Sequence, residues 1–311
     1  MKHAIYPEKQ GTPTATSEDA NYPATNLLTD YRKEVWKASD GVSEATLRVP
    51  ISANAEVISL HNTNATTAVC TITLDASEQA LNAAAAVDKG GGLVGIPCDG
   101  HGYSENDVVL INGTTNYDGV YTLPDQTAGG ANEFIITAVY AAETFAGTDT
   151  VCVVVESTTH TLSTDRFWQE YTEQTGAHTG TIKLTVGTGT VEAGVVRAGE
   201  LLTLANPGPG ISERLKDFSI KKNLRNGAVY TKKLDMVRTF SYSMVVARET
   251  VFRNLVTLYE YYGPDPFAML LTDNATNDNI WAVFGSFDNS PVGAHSYPSY
   301  SQVSISVTEA V

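Results

Sequence analysis

The best amphipathic helix pattern in this chain is short. From Glu249 to Tyr262 the apolar residues Phe252, Leu255, Val256, Tyr259 and Tyr262 recur at helical spacing, and Gly263-Pro264 stops the run. Elsewhere the apolar residues come in runs of about five to eight, bounded by Gly, Asn, Asp and Thr. Ala68 to Leu74 alternates apolar and polar side chains, the period of a half-buried strand. Such a chain folds as mainly β.

Strands are expected at 34–38, 45–49, 56–60, 68–74, 107–111, 133–139 and 150–156, with an Asp-Gly hairpin-turn pair within 116–122, then at 165–172, 180–186 and 191–204. Further strands follow at 228–231, 238–247, 267–272, 280–287 and 301–308. Ala76 to Lys89 is Ala-rich and reads as a short helix or a loop. Gly90-Gly91-Gly92 and Asn206-Pro207-Gly208-Pro209-Gly210 are the strongest breaks. They divide the chain into an N-terminal β-sandwich (1–92 and 157–205), an inserted small β module (93–156) and a C-terminal α+β domain (211–311). In the last, one helix packs on an antiparallel sheet.

Charge is unevenly distributed. The chain is −15 overall, yet ten of its twenty Lys and Arg residues fall between Arg214 and Arg253, with only Asp217, Asp235 and Glu249 to oppose them. That segment is +7 and the remainder −22. A cationic stretch on an acidic chain points to contact with copies of itself or with an acidic neighbour. Lys221, Lys222, Arg225, Lys232, Lys233 and Arg238 are the candidate contact residues. Nucleic acid is the poorer partner, because the sequence pI is about 4.7 and the cations alternate with apolar residues.

No catalytic constellation stands out, and none of the six histidines has metal-ligand spacing. Phosphate-cradle, dinucleotide and nucleophile-elbow motifs are absent, so no cofactor is expected. Cys98 with His101 and the oxygen-rich loop Asp273–Asn279 are read as turns rather than metal sites. Cys70, Cys98 and Cys152 are read as buried free thiols. Trp36, Trp168 and Tyr171, with Phe167, offer either a core or a stacking face for host-surface glycan. No secretory leader or membrane-spanning run is legible.

Several stretches resemble tail structural proteins of tailed bacteriophages. They are Asp217 to Tyr230 followed by Arg238-Thr239-Phe240-Ser241, Tyr259 to Phe267, Trp281 to Phe287, and Tyr297 to Ser301. Tyr22-Pro23-Ala24-Thr25-Asn26-Leu27-Leu28 with Trp36 resembles the jelly-roll segment that often precedes them. Gly100 to Tyr121 is similar to small β inserts of phage structural proteins. The resemblance implies a non-enzymatic virion protein of distal tail or baseplate ring type, made in the bacterial host cytoplasm. It implies a symmetric ring, expected to be a hexamer, joining the tail tube and tail-hub proteins to the baseplate or receptor-binding apparatus. The alternative function is a carbohydrate-binding β-sandwich.

Overall fold

The computed structural model describes residues 2–204, 210–223, 229–234, 236–271, 281–294 and 299–310. The chain begins with β1 (His3–Glu8), β2 (Glu44–Ile51), β3 (Ala55–His61) and β4 (Thr67–Leu74). It continues through β5 (Val87–Gly90), β6 (Leu93–Pro97), β7 (Val108–Asn112), β8 (Gly119–Thr122) and β9 (Glu133–Thr137). Next come β10 (Thr150–Thr161), β11 (Arg166–Gln174), β12 (His178–Thr185) and β13 (Val195–Thr203). The last third holds β14 (Ser212–Asp217), β15 (Ile220–Asn223), β16 (Val229–Lys232), β17 (Met236–Ala247), α1 (Arg253–Tyr262), β18 (Phe267–Leu270), β19 (Ala282–Phe287) and β20 (Tyr300–Glu309). The fold is mainly β, with one α-helix packed on a sheet.

Two large antiparallel sheets organise the molecule. The first has ten strands, ordered β11-β3-β13-β1-β18-β19-β20-β17-β14, with the short strand Val292–Ala294 also on β20. The second has eight, ordered β8-β7-β10-β4-β12-β2 and then Thr14–Ala15, with Gln79–Ala80 on β10. Alternation sets their facing: Ala45, Leu47, Val49 and Ile51 of β2 are buried while the residues between them are not. These side chains pack with Cys70, Ile72 and Ile182 against Ile58, Leu60, Phe167 and Val196 of the first sheet, forming the sandwich core.

The first sheet does not stop at the sandwich. Through β1 it continues into the C-terminal third, where His3 and Ala4 pair with Leu270 and Met269. There α1 covers one face, seating Leu255, Leu258 and Tyr262 against Phe240, Met244, Phe267 and Ile305. The sequence pattern omitted Leu258 and included Val256, which is only half-buried. The chain enters α1 through a wider π turn over Arg248–Phe252, which shifts the phase of the apolar stripe. Gly263, at φ +55°, ends the helix as expected.

The small module has its own core, including Leu81, Ala86, Val94, Ile96, Tyr117, Phe134 and Phe145. Its limits differ from those read in the sequence. Gly90, Gly91 and Gly92 all adopt positive φ and form the turn between β5 and β6, inside the module. Leu81 and Ala86, upstream of that turn, already belong to the module core. The far limit at 156 falls within one continuous strand. β10 pairs with β7 at Thr150–Val153 and with β4 from Val154 onward, bending at a register shift there. Ala76 to Lys89 forms a 3-10 turn at Asp75–Ser77 and short strands, not a longer helix.

Two arginine clusters fasten the sandwich to the C-terminal third. Arg197 is 2% exposed, donates to the carbonyls of Leu27, Leu28 and Thr29, and pairs with Asp30 (2.9 Å) and Glu8 (3.2 Å). Its guanidinium lies 5.1 Å from the Phe284 ring centroid. Glu309, at the end of β20, receives Arg32 (3.0 Å), Arg166 (2.6 Å) and Arg238 (3.0 Å). Asp165 pairs with both Arg32 and Arg166, and Arg166 also donates to the Ala282 carbonyl at 3.0 Å. Burial alone would raise the Glu309 carboxyl. Hydrogen bonding by Arg238 and the charges of Arg166 and Arg32 outweigh it and bring the carboxyl down to about 2.

Candidate functional site

The polar edge strand β14 marks one end of the first sheet. It pairs with β17 from Ser212↔Ser241 to Asp217↔Met236, and all six of its residues are exposed. Its sequence, Ser-Glu-Arg-Leu-Lys-Asp, has no apolar alternation because neither face is covered. Charged side chains on such an edge discourage indiscriminate strand pairing. Beyond it, β15 and β16 form a two-stranded hairpin that joins no other sheet among the described residues, in register from Ile220↔Lys232 to Asn223↔Val229. Ser219 closes its base: Ser219 N donates to Asp217 Oδ1 at 2.8 Å, and Leu234 N donates to Ser219 Oγ at 3.0 Å.

This region is both apolar and cationic. Seven of the seventeen exposed large apolar residues among the described ones lie here: Leu215, Phe218, Ile220, Val229, Tyr230, Leu234 and Met236. Leu215 and Val229 are 63% and 62% exposed. Arg214, Lys216, Lys222, Lys232 and Lys233 are exposed among them, and Lys216 sits 5.2 Å from the Phe218 ring centroid. Lys222, Lys232 and Lys233 make no ion pair with any described residue. A lone two-stranded hairpin gains little stability in water, and a concentration of exposed apolar side chains is characteristic of a contact surface.

The candidate contact residues therefore separate. Lys222, Lys232 and Lys233 lie together on the hairpin and just past it. Lys221 is on β15, but its side chain, like all of Arg225, lies outside the described residues. Arg238 is a correction: Nε and Nη2 each reach the Glu309 carboxylate at 3.0 Å, so its charge is matched within the chain. Sequence reasoning missed the apolar half of the surface, because Leu215, Val229 and Met236 in strands look like core residues until the fold leaves both faces open.

The glycan candidates are also corrected. Trp36 is fully buried in the sandwich core, while Trp168 and Tyr171 are 4% and 6% exposed. Tyr171 hydroxyl contacts His178 Nε2 at 2.8 Å, and Trp168 Nε1 donates to Glu170 at 3.0 Å. Phe167 is buried as well. None of these rings has a face open for stacking.

The remaining chemistry-bearing residues have structural surroundings. His101 Nδ1 accepts from Tyr103 N at 3.0 Å and its Nε2 meets the Gly130 carbonyl at 2.9 Å, fixing a loop of the module. Cys70, Cys98 and Cys152 are free and buried, and burial pushes the Cys98 and Cys152 thiols up to about 11. No group of three or more His, Cys, Asp or Glu able to hold a metal ion occurs among the described residues. The Asp273–Asn279 loop lies outside them, as does most of the 206–210 linker. No described helix is long and apolar enough to cross a membrane. No protein-family model matches this chain, and no curated protein is detectably similar to it.

Proposed function

We propose that the protein is a non-enzymatic structural subunit of a bacteriophage tail tip that works by assembling with copies of itself. The observation that carries this reading is the apolar and lysine-rich surface of β14 and the β15–β16 hairpin. Its charge is unmatched within the described chain, and its apolar side chains are left in water.

The patch is cationic, so it does not pair with an identical patch across a two-fold axis. Its complement is the acidic remainder of a second copy, which carries −22 outside residues 214–253. A contact between two different surfaces of the same chain is head-to-tail, and such contacts close into rings or run on as filaments. The resemblance to distal tail proteins favours the ring, expected to be six-fold, between the tail tube and tail-hub proteins and the receptor-binding apparatus.

Native mass spectrometry of the full chain, paired with negative-stain imaging, tests the proposal. The expected result is one closed oligomer that dissociates as salt is raised. A monomer at all protein concentrations up to about 100 μM, above the range of a weak micromolar contact, overturns it.

A further inference from the structure

Beyond the bend in β10 the second sheet continues into the module as β7 and β8, and a groove of about 480 Å³ lies along it there. That is within the size range of small-ligand sites. The floor carries a row of hydroxyls. Ser157 of β10 is directly opposite Thr71 of β4, which is directly opposite Thr181 of β12. All three line the groove, on the face opposite Cys70, Ile72 and Ile182 of the core. Ser157 and Thr71 satisfy each other at 2.8 Å. Thr181 is only 9% exposed, and its hydroxyl has no hydrogen-bond partner among the described residues. The hydroxyl is not among the buried unpartnered polar atoms, so it reaches the solvent of the groove and is open to a ligand group there.

The surroundings restrict the ligand. Lys183 pairs with Glu44 at 2.8 Å at one end of the floor, so this cation is matched and offers little to an anion. On the module side, Asp118 accepts from Thr114 through Oδ1 alone, at 2.7 and 2.8 Å. Asn112 adds an amide, and Leu110 and Val120 add aliphatic patches. The floor strands β4 and β12 are paired on both edges, so an extended peptide finds no free backbone ladder there. Side-chain hydroxyls, one amide, one carboxylate and small aliphatic surfaces suit a neutral ligand dense in hydroxyls with exposed C–H faces.

We infer that this groove is a binding site for a neutral saccharide, recognised by the Ser157–Thr71–Thr181 row and by Asn112 and Asp118 of the module. The inference does not depend on self-assembly. The lining residues include no aromatic ring, so each site is weak.

Saturation-transfer NMR on the full chain tests it, using neutral trisaccharides of glucose, galactose and N-acetylglucosamine, with sialylated and sulfated trisaccharides as comparators. At least one neutral trisaccharide is expected to titrate, and Thr181→Val to weaken it at least tenfold. Val120 is 40% exposed on the module side of the groove, so Val120→Arg is expected to block binding without disturbing either core. Melting curves of both variants report folding, and Val120→Arg carries the test if Thr181→Val unfolds. Overturning results are no signal from any neutral trisaccharide, a preference for the acidic ones, or binding that a folded Val120→Arg variant leaves unchanged.

Discussion

Arg32, Arg166, Arg197 and Arg238 at the seam, and Lys216 on β14 with Lys222, Lys232 and Lys233 at the hairpin, bring the same formal charge into opposite surroundings. At the seam, Arg238 meets Glu309 with two hydrogen bonds of 3.0 Å, and Arg197 reaches four carbonyls and two carboxylates. A planar guanidinium suits such fixed, multiply bonded positions, whereas an ammonium on a flexible stem stays hydrated and adaptable. Lys222, Lys232 and Lys233 are exposed and pair with no carboxylate among the described residues. The difference separates cations that hold this chain together from cations left to meet something else. It divides a +7 segment that the sequence presents as uniform.

The largest expected effect breaks the seam. Glu309→Gln leaves clustered guanidinium groups short of one carboxylate and should lower stability by about 3–5 kcal/mol, measured by urea melts at neutral pH. The pH dependence has a definite sign. The Glu309 carboxyl is depressed from 4.5 to about 2, so its stabilisation is present above about 4.5 and lost as pH falls through about 2. The gap between wild type and variant should therefore narrow in acid. A gap that stays constant from pH 7 to pH 2 would refute the electrostatic account.

Next comes Leu255→Ala, which opens the core beneath α1 and should cost about 2–5 kcal/mol in the same melts. It sets an apolar contact on the scale of the seam. An unchanged melting temperature would mean that the helix face is misplaced. Reversing the hairpin charges by Lys222→Glu, Lys232→Glu and Lys233→Glu together should change stability by less than about 1 kcal/mol. The same triple variant should abolish self-association in sedimentation runs. Loss of folding, rather than loss of association, would put these lysines with the seam arginines. The smallest effect is Arg253→Ala. Its 3.1 Å pair with Glu249 is exposed, and the change should stay within about 0.5 kcal/mol by thermal melt.

Much of the fold was legible because buried strands repeat every second residue. Strands β2, β4, β10, β12, β17 and β20 each fall on an expected run, and α1 on its expected stop at Gly263. Several strands were not legible, β5, β6 and β15 among them. β14 is charged throughout and carries no alternation, while His3–Glu8 includes Pro7 and ends in a polar residue. The module limits were obscured for another reason: three glycines read as a hinge serve equally well in a hairpin turn. Of the candidate surface, the charges were legible but the exposure was not. Apolar residues in strands give no local sign of which faces the rest of the chain covers. Trp36, Trp168 and Tyr171 illustrate the converse, since aromatic rings suited to a sugar are equally suited to a core.

The position of β1 also determines when this chain can fold. Ala4 and Ile5 are fully buried, yet β1 pairs with residues 199–203 on one side and with Met269 and Leu270 on the other. During synthesis β1 emerges long before either partner. At about 5–20 residues per second, the interval between His3 and Leu270 is roughly 13–50 s. The sandwich can gather its own core in that time, but the edge of β1 that will receive β18 stays open until the last part of the chain arrives. Ribosome stalling between residues 210 and 265 should therefore yield a chain with one unpaired apolar edge, the state in which it is most exposed to chaperones and to neighbouring copies.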